Sequence, residues 1–324
     1  MKALIYEGPR VMNMREADIP EPKADELLVR VAYAGICGSE LGGYLGHNSL
    51  RKPPLIMGHE FTGIVERAGI RALNWQPGER VVVNPLVTCG ECSYCLSQRE
   101  QLCESRVLLG AHRPGAFAEY IAVPADNVLR LPDSISLEDG ALTEPLACAA
   151  HIGRLLQWKP QDRLLIYGAG PIGLFVLAAA RISGLQEIVI VDINEERLAI
   201  ASAMGGQGAV AAEGEFDATV DAVGASVTRL RCVEAVRSGG KVVFTGLHEA
   251  DSLLPINDII RREITCRGAF AYAPQDFIAA LDWLEQGRVD LSSWMRVLPL
   301  EQGAVGFETL LGSPGGIAKI LLKP

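Results

Sequence analysis

The stretch "RLLIYGAGPIGLFVLAAARISGLQEIVIVD", Arg163 to Asp192, decides the fold. It opens with an apolar run, turns on three glycines, continues with the spacing of an apolar helix, and closes with a second apolar run ending in a carboxylate. Strand, helix and strand in that order read as one βαβ unit of a parallel sheet. Gly168, Gly170 and Gly173 have the spacing of a dinucleotide fingerprint, a weak signal alone and a strong one between a strand and a helix. Gly168 allows the tight turn, Gly170 lets the backbone approach a pyrophosphate, and Gly173 lets the helix pack close to the strand. Pro171 and Ile172 open the helix, where free N–H groups and the helix dipole favour a phosphate.

Asp192, nineteen residues after Gly173, stands where a carboxylate accepts hydrogen bonds from ribose hydroxyls and repels a 2′-phosphate. That predicts NAD rather than NADP, with Arg197 in the following turn pulling the other way. The blander readings are a glycine turn used only for packing and a carboxylate that starts the helix before "NEERL".

Downstream, "DATVDAVG", "GKVVFTG" and "ITCRGAF" read as further buried strands, "PQDFIAALDWLEQGRV" and "GAVGFETLLG" as helices, and "IAKILLKP" as a closing strand. Between "GAVAAEGE" and "FDATVDAV" only a few residues are available, whereas a parallel crossover usually takes about a dozen. A tight loop is expected there instead of a helix between Ala212 and Asp217, with one flank of the sheet thinner or covered by a neighbouring subunit.

Upstream the texture is different. "ALIYEG", "LLVRVAYAG", "TGIVERAG", "GERVVVNP" and "FAEYIAVPADNVLRLP" are short runs punctuated by Pro and Gly, and they predict a β-rich domain. "LPDSISLEDGALTEPLACAAHIGRLLQW" then supplies two helices leading out of it. No internal repeat, low-complexity tract or flexible linker interrupts the chain. With 324 residues, 49% of them hydrophobic and 21% charged, the composition suits two packed domains. A net charge of -9 leaves no electrostatic footprint for nucleic acid. The first residues lack a secretory pattern and no apolar run reaches spanning length, which predicts a cytoplasmic protein without a membrane partner.

"CGECSYCLSQREQLC" packs Cys89, Cys92, Cys95 and Cys103 into fifteen residues. A disulfide knot, a redox pair and a thiolate metal site compete for it. A reducing compartment argues against the knot, and a redox pair leaves two thiols unexplained. A loop that folds back can place four sulfurs around one zinc, a closed structural site with no position for substrate. Catalysis must lie elsewhere. "GICGSE", "GHEFTG" and "TEPLACA" contribute Cys37, His59, Glu60 and Glu144, a dispersed set of sulfur, nitrogen and oxygen donors of the kind that a zinc with an exchangeable position needs.

Together "GICGSE", "GHEFTGIVERAG", the four-cysteine lobe, "GAFAEYI", "GAGPIG" and "FDATVDAVG" resemble, in order, the zinc-dependent medium-chain alcohol and polyol dehydrogenases. The resemblance implies an α/β protein with a GroES-like β-rich catalytic domain and a doubly wound Rossmann dinucleotide-binding domain. It places the catalytic domain at 1–146 with a zinc lobe near 86–106, the Rossmann domain at 147–272, and the return to the catalytic domain at 273–324. It implies two zinc ions per chain and NAD.

Cys37 and His59 match the family's first two ligands of the catalytic zinc, and Glu144 the third, as in the sorbitol and sugar-alcohol branch where other alcohol dehydrogenases place Cys. Glu60 matches the carboxylate that approaches and leaves the metal, and Ser39 the hydroxyl that takes the alcohol proton. Glu40 stands where the family usually has Asp, and Gly42 near its proton-relay His. The expected route therefore runs from Ser39 through the cofactor ribose to water, with His47 as an optional last acceptor. Lys319 matches a basic position near the zinc. Tyr44, Arg113, Phe117 and Phe270 are candidates for shaping a substrate pocket, Cys148 for a small buried hydrophobe, and His112, His151 and His248 for surface or packing roles.

The expected reaction is hydride transfer between a secondary alcohol, of the polyol or sugar-alcohol kind, and NAD, in a dimer or tetramer. The competing classes are a quinone or enoyl reductase on the same fold and a non-catalytic scaffold that binds NAD and zinc.

Overall fold

The computed structural model describes residues 1–290, 294–312 and 314–324. They form two compact units, Met1–Glu144 with Leu281–Pro324, and Pro145–Ala280.

The first unit is β-rich. β1 (Lys2–Gly8), β2 (Val11–Glu16) and β4 (Leu55–Ile56) form a small sheet in the order β2-β1-β4. A larger sheet runs β10-β6-β5-β3-β18-β17, from β3 (Glu26–Gly35), β5 (Glu60–Ala68), β6 (Arg80–Val83), β10 (Val128–Arg130), β17 (Met295–Pro299) and β18 (Lys319–Lys323), with β9 (Tyr120–Pro124) also paired to β3. β7 (Leu86–Val87) and β8 (Val107–Leu108) make a two-stranded ribbon that brackets the cysteine lobe. The sequence "ELLVRVAYAG" of β3 is mostly buried, as expected of a strand with neighbours on both edges. Leu27, Val29, Val31, Phe61, Val65, Val81, Val83, Phe117 and Phe307 fill the core beneath it.

Helix α1 (Gly38–Tyr44) follows β3 after two residues, and α2 (Ser93–Leu96) lies in the lobe. The two helices expected at the exit of the β-rich segment are α3 (Leu137–Gly140), capped by Ser136, and α4 (Thr143–Leu156). α10 (Gly303–Gly312) belongs to the returning segment.

The second unit is a parallel sheet in the order β13-β12-β11-β14-β15-β16. Its strands are β11 (Leu164–Tyr167), β12 (Ile188–Val191), β13 (Gln207–Ala209), β14 (Phe216–Asp221), β15 (Val236–Phe244) and β16 (Thr265–Gly268). This is the doubly wound order, with its switch point between β11 and β14. The strands "LLIY" and "IVIV" are almost wholly buried because helices flank a parallel sheet. α5 (Pro171–Ile182) is buried from Gly173 to Ala180, which explains its run of apolar side chains. α6 (Glu195–Ala203), α7 (Ser226–Ala235), α8 (Ile256–Arg261) and α9 (Pro274–Glu285) complete the helices around the sheet.

The crossover from β13 to β14 has no helix between Ala209 and Phe216. The six linking residues make this parallel crossover as a loop. Ala212 packs against the cluster of Leu165, Tyr167, Val191 and Phe216, and the loop thus covers part of that face itself.

Candidate active site and metal centres

The glycine turn occupies the end of β11. Gly168 has a φ of +100°, in the left-handed region that favours glycine, and a Cβ on Gly173 would collide with the carbonyl of Gly168. Gly170 is the N-cap of α5 with Pro171 next in the helix, and no atom lies within 4 Å of a Cβ built on Gly170. The backbone there is open to close approach by a ligand. Asp192 ends β12 beside this turn: its Oδ2 accepts from Ala169 N at 2.6 Å and its Oδ1 from Asn194 N at 2.9 Å. An ionised carboxylate has about four acceptor sites, so these two bonds orient Asp192 and leave capacity for ribose hydroxyls. Asn194, rather than Asp192, caps α6 by accepting from Arg197 N. Arg197 lies in the first turn of that helix with its Nε buried and without a hydrogen-bond partner.

The cysteine lobe decides among three readings. Cys89, Cys92, Cys95 and Cys103 are free thiols whose sulfurs all lie within 4.8 Å of one another. The separations are 3.5 Å for Cys92–Cys95, 3.6 Å for Cys89–Cys103 and 3.8 Å for Cys89–Cys95. Disulfides would need about 2.05 Å, whereas a tetrahedron of zinc–sulfur bonds near 2.3 Å has edges of about 3.8 Å. The four sulfurs fit zinc. Backbone N–H groups of Glu91 and Cys92 point at Cys89 and bring its thiol pKa down to about 7, while burial pushes Cys95 up to about 11.

The second cluster is built by sheet register. β3 and β5 are antiparallel with Gly35 opposite Glu60, so Cys37 and His59 lie just past the paired ends of two adjacent strands. Donor atoms of Cys37, His59 and Glu60 all fall within 4.8 Å of one another. Glu144, buried in the first turn of α4, lies outside that close group. The structure thus brings three of the four expected ligands together, with Glu60 nearer the centre than the expectation placed it.

Glu40 organises this cluster. It is the third residue of α1, its carboxylate accepts from Cys37 N at 3.0 Å and Gly58 N at 2.8 Å, and it lies 2.8 Å from His59 Nδ1. Burial works against its charge, but His59, Arg51 and the Cys37 N–H outweigh it and hold the carboxyl below its usual range. An ionised carboxylate can only accept, so His59 Nδ1 donates and Nε2 is left to bind a metal. Burial also opposes a charge on His59, yet Glu40 and the Cys37 sulfur hold its pKa well above the imidazole range.

Glu60 pairs with Lys319, and both are buried. β18 carries Lys319 to this place by pairing with β3, and Lys319 Nζ also donates to the carbonyl of Ile36 at 3.0 Å. Burial lowers the affinity of Lys319 for its proton, but Glu60 and Cys37 more than reverse this. A side chain on Gly35 would collide with Glu60 and Lys319, which accounts for glycine in "YAGIC".

Ser39 Oγ donates to Cys37 Sγ at 3.4 Å and accepts from Arg51 Nη2 at 3.0 Å. His47 is exposed after the end of α1, and nothing ties its ring to Ser39. Of the pocket candidates, Tyr44 donates to Glu308 at 2.8 Å, Arg113 pairs with Glu26 at 2.8 Å, and Phe117 is wholly buried against Phe307. Tyr44 and Phe117 are engaged in packing, whereas Arg113 is half-buried. Phe270 is 44% exposed. Cys148 is half-buried, His112 and His248 are exposed, and His151 is buried against Asp276.

The sequence reading noted Glu40 without giving it a role and did not name Arg51. Glu40 was legible as the third helical residue after Cys37, the position of a capping carboxylate. Arg51, in an irregular loop, carried no such signal.

Comparison with known proteins agrees with this architecture. Residues 23–133 match the alcohol dehydrogenase GroES-like domain, and residues 171–286 match the zinc-binding dehydrogenase domain. The "Probable D-xylulose reductase A" of Aspergillus clavatus is 31% identical over 97% of this chain and 94% of its own. An alcohol dehydrogenase from Escherichia coli solved with NADH superposes with a TM-score of 0.93 at 28% identity, covering 100% of this chain and 99% of that one. A Sinorhizobium meliloti protein solved with NADP gives 0.91 at 29% identity, covering 100% and 99%. The chain belongs to the zinc-dependent medium-chain dehydrogenase family. It is an oxidoreductase that uses zinc and a nicotinamide cofactor on small alcohols.

Proposed function

We propose that this enzyme interconverts a secondary alcohol of the polyol or sugar-alcohol kind with its ketone, with NAD as hydride acceptor. The convergence of Cys37, His59 and Glu60 within 4.8 Å, with Ser39 bonded to the Cys37 sulfur, carries the reading. A zinc held by Cys37 and His59, with the carboxylates of Glu60 and Glu144 to complete or exchange in its shell, supplies Lewis acidity toward a hydroxyl oxygen.

The chain's own groups do the rest. Glu40 fixes the tautomer of His59, and Lys319 offsets the charge of Glu60 in a buried setting. Ser39 would receive the proton released from the alcohol and pass its own on toward water. His47 is an optional final acceptor only if its loop turns inward. Gly168, Gly170 and Gly173 with Pro171 and Ile172 receive the pyrophosphate, and Asp192 receives the ribose. The charge of Asp192 supports NAD over NADP. The polyol class rests on Glu144 in place of Cys and on the relative named for D-xylulose.

We further propose a homo-oligomer, dimer or tetramer, in the cytoplasm, with no nucleic-acid or membrane partner. No described helix is long and apolar enough to cross a membrane, and eight free cysteines suit a reducing compartment. Zinc analysis followed by a panel of polyols and other secondary alcohols with NAD and NADP tests the reading. Two zinc ions per chain and NAD-linked oxidation of a polyol are expected. Fully zinc-loaded protein that oxidises only primary alcohols, or none, refutes it.

A further inference from the structure

Arg51 is 3% exposed, in the loop after α1, and its Nη2 donates to Ser39 Oγ at 3.0 Å. Its Nε is also buried and has no hydrogen-bond partner. The side chain reaches Ser39 along α1 over Gly43, where a Cβ would meet Arg51 Cδ at 2.5 Å. Glycine in a helix interior costs about 1 kcal/mol relative to alanine, so α1 gives up local stability at a position that admits this arginine.

We propose that Arg51 is a positioning residue for proton transfer, orienting the Ser39 hydroxyl so that it accepts the substrate proton at one lone pair while releasing its own. The proposal rests on the function inferred above. A serine hydroxyl has one proton and two acceptor sites. Arg51 occupies one site and the Ser39 proton is directed at the Cys37 sulfur, which leaves one acceptor direction for the substrate proton; the Ser39 proton turns from Cys37 to the next acceptor as it is released. Its guanidinium is always charged and carries no proton through the relay. Its positive charge, shielded from water, instead favours negative character on the neighbouring oxygen as the proton moves.

The step balances. The substrate O–H bond breaks as a new O–H forms on Ser39, whose former proton passes to the next acceptor and finally to solvent. The C–H bond breaks with its electron pair, which reduces the nicotinamide as hydride and leaves the ketone. An anion-binding role for Arg51 would require an accessible guanidinium, and burial argues against it.

The test uses zinc-loaded enzyme and the best alcohol found. Arg51→Ala should lower kcat about 10- to 100-fold, with zinc content and KM for both substrates near the original and with a larger solvent isotope effect. Millimolar guanidinium should restore part of kcat in Arg51→Ala and none in Ser39→Ala, and Arg51→Lys should recover only part. Unchanged kcat in loaded Arg51→Ala overturns the proposal. So does a loss confined to KM for acidic alcohols, the mark of an anion subsite.

Should Arg51→Ala fail to fold, Gly43→Ala displaces the arginine while keeping it and Ser39, and the same kcat loss is expected. Unchanged kcat there also overturns the proposal. Arginine side-chain NMR of the protein gives a readout independent of turnover: one slowly exchanging guanidinium signal should disappear in both Arg51→Ala and Ser39→Ala. If no such signal exists, the pairing is overturned. A protein with that signal, fully loaded with zinc yet inert toward every alcohol, refutes the functional reading rather than the pairing, and the proposed relay role falls with it.

Discussion

Glu40 Oε1 lies 2.8 Å from His59 Nδ1, with the Glu40 side chain wholly buried and the His59 ring nearly so. A buried carboxylate in this position fixes which ring nitrogen faces the metal and raises its basicity. Glu40→Gln should therefore weaken zinc at the Cys37–His59 site by about 10- to 100-fold while the four-cysteine site keeps its ion. Competition with a chelator, followed by metal analysis, reads this directly. Equal loss from both sites would remove Glu40 from the role.

At the lobe, Cys92→Ser should abolish one zinc per chain and lower thermal stability, because a structural zinc contributes folding free energy. Activity per remaining catalytic zinc should fall less than stability does. Chelation of the unmodified protein should strip the Cys37–His59 site first. A single zinc in fully active protein contradicts the two-site arrangement.

Asp192 is held by Ala169 N and Asn194 N with acceptor capacity to spare. Asp192→Ala should raise Kd for NAD and narrow the preference over NADP, since a ribose acceptor and a charge that repels the 2′-phosphate disappear together. Titration of both cofactors into both proteins measures it. Equal affinity of the unmodified enzyme for NAD and NADP is the contrary result.

Asp276 accepts from Arg154 and bonds to buried His151, joining α9 to α4. Burial alone would raise its pKa, but Arg154, His151 and the Ala273 N–H bring it down to about 2 from 3.8. A lowered folded-state pKa means that the stabilisation is complete above the unfolded value and lost as pH falls toward the folded one. The stability difference between the unmodified protein and Asp276→Asn should be constant above about pH 5 and shrink as pH drops from 4 toward 2. Denaturation curves followed by circular dichroism across that range check the sign. A difference that grows on acidification contradicts it.

Much of the fold was readable because its signals are local. The run from Arg163 to Asp192 fixes strand, turn, helix and strand within thirty residues, and the short link before Phe216 could be judged too brief for a helix from its length alone. Cys89 to Cys103 needed only a loop to converge, so spacing and thiol chemistry specified the donor set. The catalytic neighbourhood was readable as residue types, through Cys37, His59, Glu60 and Ser39.

The amino-acid sequence by itself thus determined the local elements, the nucleotide turn and the chemistry available to bind metal. Only the tertiary structure decided which groups serve one another: that Glu40 holds His59, that Lys319 reaches Glu60 through a strand returning from the far end of the chain, and that Arg51 rather than His47 bonds to Ser39. These contacts depend on the register of β3 against β5 and β18 and on the space left at Gly43. The physical reason is that local spacing constrains neighbours along the chain, whereas a buried charge finds its partner only when strand pairing and packing bring distant residues together.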